Sequence, residues 1–442
     1  AQTQTSTPTA ADSQLPDGPL LSVLGADVPV PLAGGGERAY AALDQAASAP
    51  ALVRVWEDVA AYAPYYGSVH RGAGHLSRLS TELFEQSRVT VAGFLGIDAD
   101  DPDRQVVFTR STTDSLNLLA RALPAGTRVF VFETEHHASL LPWRDHDTVV
   151  LDAPDSPSRA VELLDRALAE APPGPRLLCV TGASNVTGEL WPVAELTEVA
   201  HRHGARVVLD AAQLVPHHRV DVGRLGVDWV AFSGHKLYAP FGAGVLAGRA
   251  DWLRAAEPYL AGGGASRGVE RRPDGGLDVR WQESAARHEA GSPNVIGAYA
   301  LASACRALTD VGFERIAARE QRLLARLRRG LADLPEVRVL SLFGPDAERV
   351  GVVSFVVDGW SSGRLADALS AEWAIGVRAG LFCAHPLLRA LLGAAPGGAG
   401  ECGGGELDAV RVSFGVGTPD EHVDRFVRAV RELVGRSPGG DC

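Results

Sequence analysis

From about residue 94 to residue 250 the sequence alternates short apolar runs with amphipathic stretches, and no other feature of the chain constrains its fold as strongly. The apolar runs fall at 106–109, 129–132, 149–151, 177–181, 207–210 and 229–233. Each is short and rich in Val, Leu or Phe, as expected of a strand buried on both faces. Between them, 115–123, 161–170 and 193–203 carry apolar residues at helical spacing, and Gly204 stops the last. Strand-helix alternation of this kind predicts a parallel sheet covered by helices on both faces. Helical periodicity also begins near Ala51 and again over 77–93, where Leu79, Leu83, Phe84, Val91 and Phe94 recur three or four apart.

Beyond residue 294 the pattern changes. A long helical stretch rich in Arg and Ala is expected over 294–330, then a strand at 350–357, a helix at 365–372, a strand at 410–414 and a terminal helix at 419–434. The expected organisation is an N-terminal tail over 1–35, a segment over 36–70 that joins the small domain, a large domain over 71–305 and a small α+β domain over 306–442. Two loops stand out, at 262–289 and at 392–406, the second rich in glycine and containing Cys402. With 46% hydrophobic residues, 442 residues can bury more than one core. The net charge of −12 argues against a nucleic-acid partner. The chain has no uninterrupted apolar run of membrane-spanning length, and its first 20 residues are polar, so a cytoplasmic protein without membrane contact is expected. Five scattered cysteines without CxxC spacing fit a reducing compartment, and no metal site is expected.

Of the 42 basic side chains one is lysine, Lys236, as a GC-rich coding bias would leave where arginine cannot substitute. Arginine keeps its proton in proteins and forms no imine, whereas a lysine of lowered pKa does. Lys236 follows Ser233 and His235 at the end of the run 229–233. Other strand ends carry Ser111-Thr112-Thr113 opening a helix, His136 and His137, Asn185, and Asp210 with Gln213. An open α/β sheet places its ligand at these carboxyl ends. The hydroxyls suit an anion at a helix N-terminus, although Ser and Thr are also ordinary caps, and a paired histidine in a loop also fits a surface. An acid closing an apolar strand is costly unless a positive group meets it. Together an acid, an amide, hydroxyls and one lysine are the parts needed to hold pyridoxal 5'-phosphate.

The motifs FTRSTT, TEHH, SNVTG, DAAQ, SGHK, HEAGSPN and VRAGLFCAHP occur in this order, preceded by YAALDQAAS and VHRGAGHLS. Over about residues 39–434 the chain thus resembles the cysteine desulfurase and selenocysteine lyase branch of the class V aminotransferases. The resemblance implies an α/β protein of the PLP-dependent transferase fold type I, with a mostly parallel sheet and a small α+β domain. It implies that Lys236 carries the cofactor as an imine, that Asp210 pairs with the ring nitrogen, that Gln213 lies near the ring hydroxyl, and that His136 stacks on the ring as part of the catalytic set. Thr112, Thr113, Ser233 and His235 would hold the phosphate, with Ser292 supplied by the second subunit of a homodimer. Asn185 and Arg411 would bind the amino-acid substrate, Arg411 through its carboxylate, with Arg378 nearby.

The same resemblance makes Cys383 the nucleophile that takes sulfur from L-cysteine as a persulfide, leaving alanine and passing sulfur to an acceptor protein. Leu381 and Phe382 precede it where many members carry polar residues or histidine. Apolar neighbours slow a thiol, with His385 as partial compensation. They keep a second reading open: a C–S β-lyase or aminotransferase acting on a larger amino acid, with Cys383 a bystander. Against a third, a catalytically silent scaffold, stands Lys236.

Overall fold

The computed structural model describes residues 18–393 and 407–436. Among these, seven strands form a central sheet in the order Arg104–Thr109, Gly244–Arg249, Trp229–Ser233, Ala205–Asp210, Arg176–Thr181, Arg128–Phe132 and Asp147–Leu151. All run in one direction except Gly244–Arg249, which pairs antiparallel with both neighbours. Side chains alternate between two apolar layers, as the two-residue period of a strand requires. Phe130, Leu178, Val180, Val207 and Leu209 meet Leu164 and Leu168 of the helix Pro157–Glu170 and Leu196 of the helix Val193–Arg202. Val129, Val131, Leu177, Cys179 and Val208 meet Leu116 and Leu119 of the helix Thr112–Ala122 on the other face. This two-sided burial is why the strands read as unbroken apolar runs.

The stretch expected as one helix over 294–330 is two, Val295–Val311 and Phe313–Ala332, broken at Gly312 with φ +88°. The break moves the chain from one core to another. Ala300, Leu301, Ala304 and Leu308 pack against the central sheet, whereas Leu323, Leu324, Leu327 and Leu331 join a second core. That second core lies on a four-stranded antiparallel sheet ordered Val337–Val339, Val352–Val357, Ala409–Ser413 and Arg378–Gly380. The helices Ser362–Trp373 and Asp420–Val434 bury Leu365, Leu369, Phe426 and Val430 in it.

Residues 18–35, expected as tail, are tied into the fold. Leu20 N donates to Val416 O at 2.8 Å and Leu24 N to Ala51 O at 2.8 Å. Pro29–Pro31 pairs antiparallel with Glu37–Ala39, and Leu20, Leu21 and Val23 pack on the sheet core. These few apolar residues sit in a polar, glycine-rich context that hides them from periodicity. The expected loop 262–289 contains a hairpin, Ser266–Arg271 with Leu277–Trp281, largely solvent-exposed and so without an apolar run. Most of the expected glycine-rich loop at 392–406, with Cys402, lies outside the described residues. Among the described residues no helix is long and apolar enough to cross a membrane.

The loop after the strand Arg176–Thr181 is locked to the second core's approach by Glu189, which is 0% exposed. Its carboxylate accepts from Leu342 N at 2.9 Å, Phe343 N at 3.1 Å and the buried Arg349 Nη2 at 3.3 Å. Glu189→Ala should destabilise the protein by about 3–5 kcal/mol, because it leaves the Arg349 guanidinium buried without its counter-charge. Denaturant unfolding measures this; a loss below about 1 kcal/mol would show that water replaces the carboxylate.

Candidate active site

A cavity of about 420 Å³ opens at the carboxyl ends of the parallel strands. It is lined by Thr112, Thr113, His136, Asn185, Asp210, Gln213, Ser233, His235, Lys236, Arg378, Cys383 and Arg411, so the fold brings together every expected site residue except Ser292. Its size is in the range of small-molecule sites.

The strand Trp229–Ser233 ends in the tight turn Gly234–Lys236. Burial pulls the Lys236 amine down from 10.5 to about 8, Arg411 adding to the effect and Asp210 opposing it. Asp210 closes its strand with only 5% exposure. Its Oδ1 accepts from Ala212 N at 2.9 Å, and its Oδ2 accepts from the Ser139 hydroxyl. Ser139 is in turn held by Trp143 Nε1, which donates to its carbonyl at 2.7 Å. Behind them Glu135 is fully buried and accepts from Thr181 N at 3.0 Å; burial, with Asp210 beside it, pushes its carboxyl well up.

His136 accepts from Ala138 N through Nδ1 at 3.0 Å, which fixes the ring and leaves the proton to Nε2. Burial, then the neighbouring Lys236, pull it down to about 4, so the imidazole is neutral. Gln213 Nε2 donates to Ala46 O at 2.7 Å.

At the other end of the cavity the helix Thr112–Ala122 begins. Ser111 caps it by accepting from Asp114 N, and Thr112 N donates to Ser233 Oγ at 2.7 Å. Gly244 makes the close approach of its strand to this turn possible, since a Cβ there would lie 2.6 Å from Ser111 Cα. That unanticipated antiparallel strand therefore shapes this end of the cavity.

Arg411 is 4% exposed. It donates to Asn185 O at 3.0 Å and to Asp44 Oδ1 at 3.2 Å, and its guanidinium lies 5.1 Å from the centre of the Phe382 ring. Burial lowers its pKa. Asp44 also pairs with Arg378 at 2.9 Å. Sequence reasoning assigned no role to Asp44 or Ser139. Asp44 belongs to the YAALDQAAS motif, but its partner is 367 residues away, and spacing carries no sign of that.

Cys383 sits between the strand Arg378–Gly380 and the helix His385–Leu392, and its side chain is exposed. Phe382 and Cys383 both have left-handed backbones, with φ +51° and +53°. Asn185 Nδ2 donates to Phe382 O at 2.9 Å and His137 N to Cys383 O at 2.8 Å, which fix the loop on both sides. The rings of His137 and His385 meet edge to face at 4.5 Å. Leu381 and Phe382 pack with Val186, Leu340, Leu387, Leu388 and Ala409. Their apolar character therefore anchors the loop, which weakens the argument that they mark a bystander cysteine. Ser292 lies apart, in a cavity of about 330 Å³ with Arg71, Gly264 and Gly291.

The sequence matches the aminotransferase class-V family over residues 41–426. It is 35% identical over 380 residues to a probable cysteine desulfurase of Mycolicibacterium paratuberculosis, an alignment covering 84% of this chain and 52% of that protein. The chain thus spans about half the length of that relative. A cysteine desulfurase of Klebsiella pneumoniae is 37% identical over 357 residues, covering 78% of this chain and 84% of its own. The solved apo structure of a cysteine desulfurase from Thermococcus onnurineus superposes with TM-score 0.78 and 33% identity, covering 90% of this chain and 95% of that one. An Escherichia coli cysteine desulfurase structure gives TM-score 0.75 and 31% identity over 90% and 95% of the two chains. With the match running across both cores and the strand ends that build the cavity, the chain belongs to the class-V aminotransferase family.

Proposed function

We propose that the protein is a PLP-dependent cysteine desulfurase, which transfers the sulfur of L-cysteine to Cys383 and leaves L-alanine. The observation that carries this reading is the placement of Cys383. Its thiol is exposed on a loop held by Asn185 and His137, at the wall of a cavity shared with Lys236 and Arg411.

The residues present fit pyridoxal 5'-phosphate. The cavity offers a buried carboxylate for a protonated ring nitrogen, a neutral imidazole for the ring face, and an amine pulled down to about 8 for the aldehyde. At its far end Thr112, Thr113, Ser233 and His235 surround a helix N-terminus that suits a phosphate. When bound, the cofactor supplies an electron sink for charge that develops at the substrate Cα. Asp210, whose orientation is fixed by Ala212 N and Ser139, would pair with the ring nitrogen. Lys236 serves as the proton acceptor at Cα, its lowered pKa giving a usable neutral amine near pH 8. Arg411, fixed by Asn185 O and Asp44, receives the α-carboxylate. Cys383 Sγ then attacks the substrate sulfur. An S–S bond forms as the Cβ–S bond breaks, and the electron pair of the broken bond stays on carbon, which takes a proton to become the alanine methyl.

Incubation with L-cysteine, with separate assays for alanine, pyruvate and ammonia, tests the reaction. Alanine with a persulfide mass increment on Cys383 is expected; pyruvate and ammonia without that increment would assign a β-lyase instead. Arg411→Ala should weaken amino-acid binding by about 2–4 kcal/mol with the cofactor spectrum retained, since it removes a charge-assisted pair from a buried carboxylate. Loss of the cofactor instead would make Arg411 structural.

The proposal includes a homodimer in which Ser292 completes the partner's phosphate site. In its own chain Ser292 faces a cavity away from Lys236, which favours service in trans. Sedimentation should show a dimer, and a fully active monomer would refute the arrangement. The persulfide would pass to a sulfur-acceptor protein, for which the exposure of Cys383 leaves access.

A further inference from the structure

Arg378 and Arg411 face each other directly in the antiparallel ladder between Arg378–Gly380 and Ala409–Ser413. Like charges at opposed positions repel, and the two differ in freedom, Arg378 being 48% exposed and Arg411 4%. Asp44 enters from a separate segment and puts one oxygen on each guanidinium, at 2.9 Å to Arg378 and 3.2 Å to Arg411. An isolated bridge ties it to the end of one of these strands. Leu43 N donates to Gly376 O at 2.9 Å, Ser413 N donates to Leu43 O at 2.8 Å, and Asp44 bridges Ser413 in parallel. Asp44 does not line the cavity, whereas both arginines do. It stands behind them as their shared counter-ion.

We propose that Asp44 is a positioning residue that sets which substrate charge the site accepts. Two guanidiniums and one carboxylate leave a single net positive charge at the carboxylate end of the cavity, matched to one α-carboxylate. An amino acid with a second carboxylate on its side chain brings two negative charges to this single net positive one, because Asp44 already offsets the other guanidinium. The inference rests on the reading of Arg411 as the α-carboxylate receptor.

The test is calorimetric binding of L-alanine and L-aspartate, which share a backbone and differ by one carboxylate, to the holoenzyme and its variants. The wild type should prefer L-alanine. Asp44→Asn frees Arg378 and should move the ratio of dissociation constants toward L-aspartate by about tenfold, the order of effect that one unit charge has in a partly screened site. Asp44→Glu keeps the charge and should keep the wild-type ratio. The double variant Asp44→Asn with Arg378→Gln returns the group to one net charge and should restore the preference, an outcome that a purely structural role for Asp44 would not give. An unchanged ratio in Asp44→Asn, or no restoration in the double variant, overturns the proposal. If Asp44→Asn fails to fold, Arg378→Gln by itself decides: the ratio should shift further against L-aspartate, and an unchanged ratio overturns the idea. Arg411→Ala separates the two levels. Retained L-alanine binding there refutes the carboxylate receptor itself, whereas lost binding with an unmoved Asp44→Asn ratio refutes only the role given to Asp44.

Discussion

Cys383→Ser should lower alanine formation from L-cysteine by at least about a hundredfold, because a hydroxyl stays protonated at neutral pH and cannot take up sulfur as a thiolate does. The substitution is conservative for the fold. The side chain is exposed, and the loop contacts, His137 N to Cys383 O and Asn185 Nδ2 to Phe382 O, use backbone carbonyls that serine retains. Stability should therefore stay within about 0.5 kcal/mol of the wild type. Binding of L-cysteine should also persist, since Arg411 and Lys236 are untouched. The persulfide mass increment should disappear with the activity. A serine variant that makes alanine at the wild-type rate would reduce Cys383 to a bystander and revive the β-lyase or aminotransferase reading.

Lys236→Ala should abolish both turnover and the borohydride-stable cofactor adduct. The chain has one lysine, so intact mass after reduction gives an unambiguous result: one cofactor on the wild type, none on the variant. A retained adduct would place the attachment elsewhere and remove the central assignment. The lowered pKa adds a pH signature. Condensation with an aldehyde needs the neutral amine, and with a pKa of about 8 that form makes up about a quarter of the protein at pH 7.5, against about one part in a thousand for an ordinary lysine. The rate of cofactor loading into stripped protein should thus rise with pH up to about 8 and level off above it. A rate still rising steeply at pH 10 would mean an unshifted amine.

The parallel strands were legible because each is buried on both faces, so 129–132, 177–181 and 207–210 appear as apolar runs. The strand Gly244–Arg249 was hidden by its two glycines, which let it approach Ser111 and Asp228 but also make it look like a turn. The helix break at Gly312 was hidden because Arg and Ala continue on both sides of it. Strands of three residues, such as Arg378–Gly380, are too short for any periodicity. The cavity residues were legible where they end a strand or belong to a recognisable motif. Asp44 and Ser139 act through partners that only folding brings close, and neither residue type is unusual in its own segment. Leu381 and Phe382 were ambiguous in the sequence for a related reason. Sequence shows that a residue is apolar, but not that it packs toward Val186 and Leu388 while the next side chain stays exposed.

The left-handed backbone at Cys383 sets stability and chemistry against each other at one position. A non-glycine residue with φ +53° carries roughly 1–2 kcal/mol of steric strain that glycine would not. Glycine there would relax the loop, and a search for more heat-resistant variants would tend to select it. The gain would erase the thiol. If the proposed sulfur transfer holds, drift at this site toward a tougher protein is drift away from activity, and the strained backbone at Cys383 is the cost of keeping a thiol there.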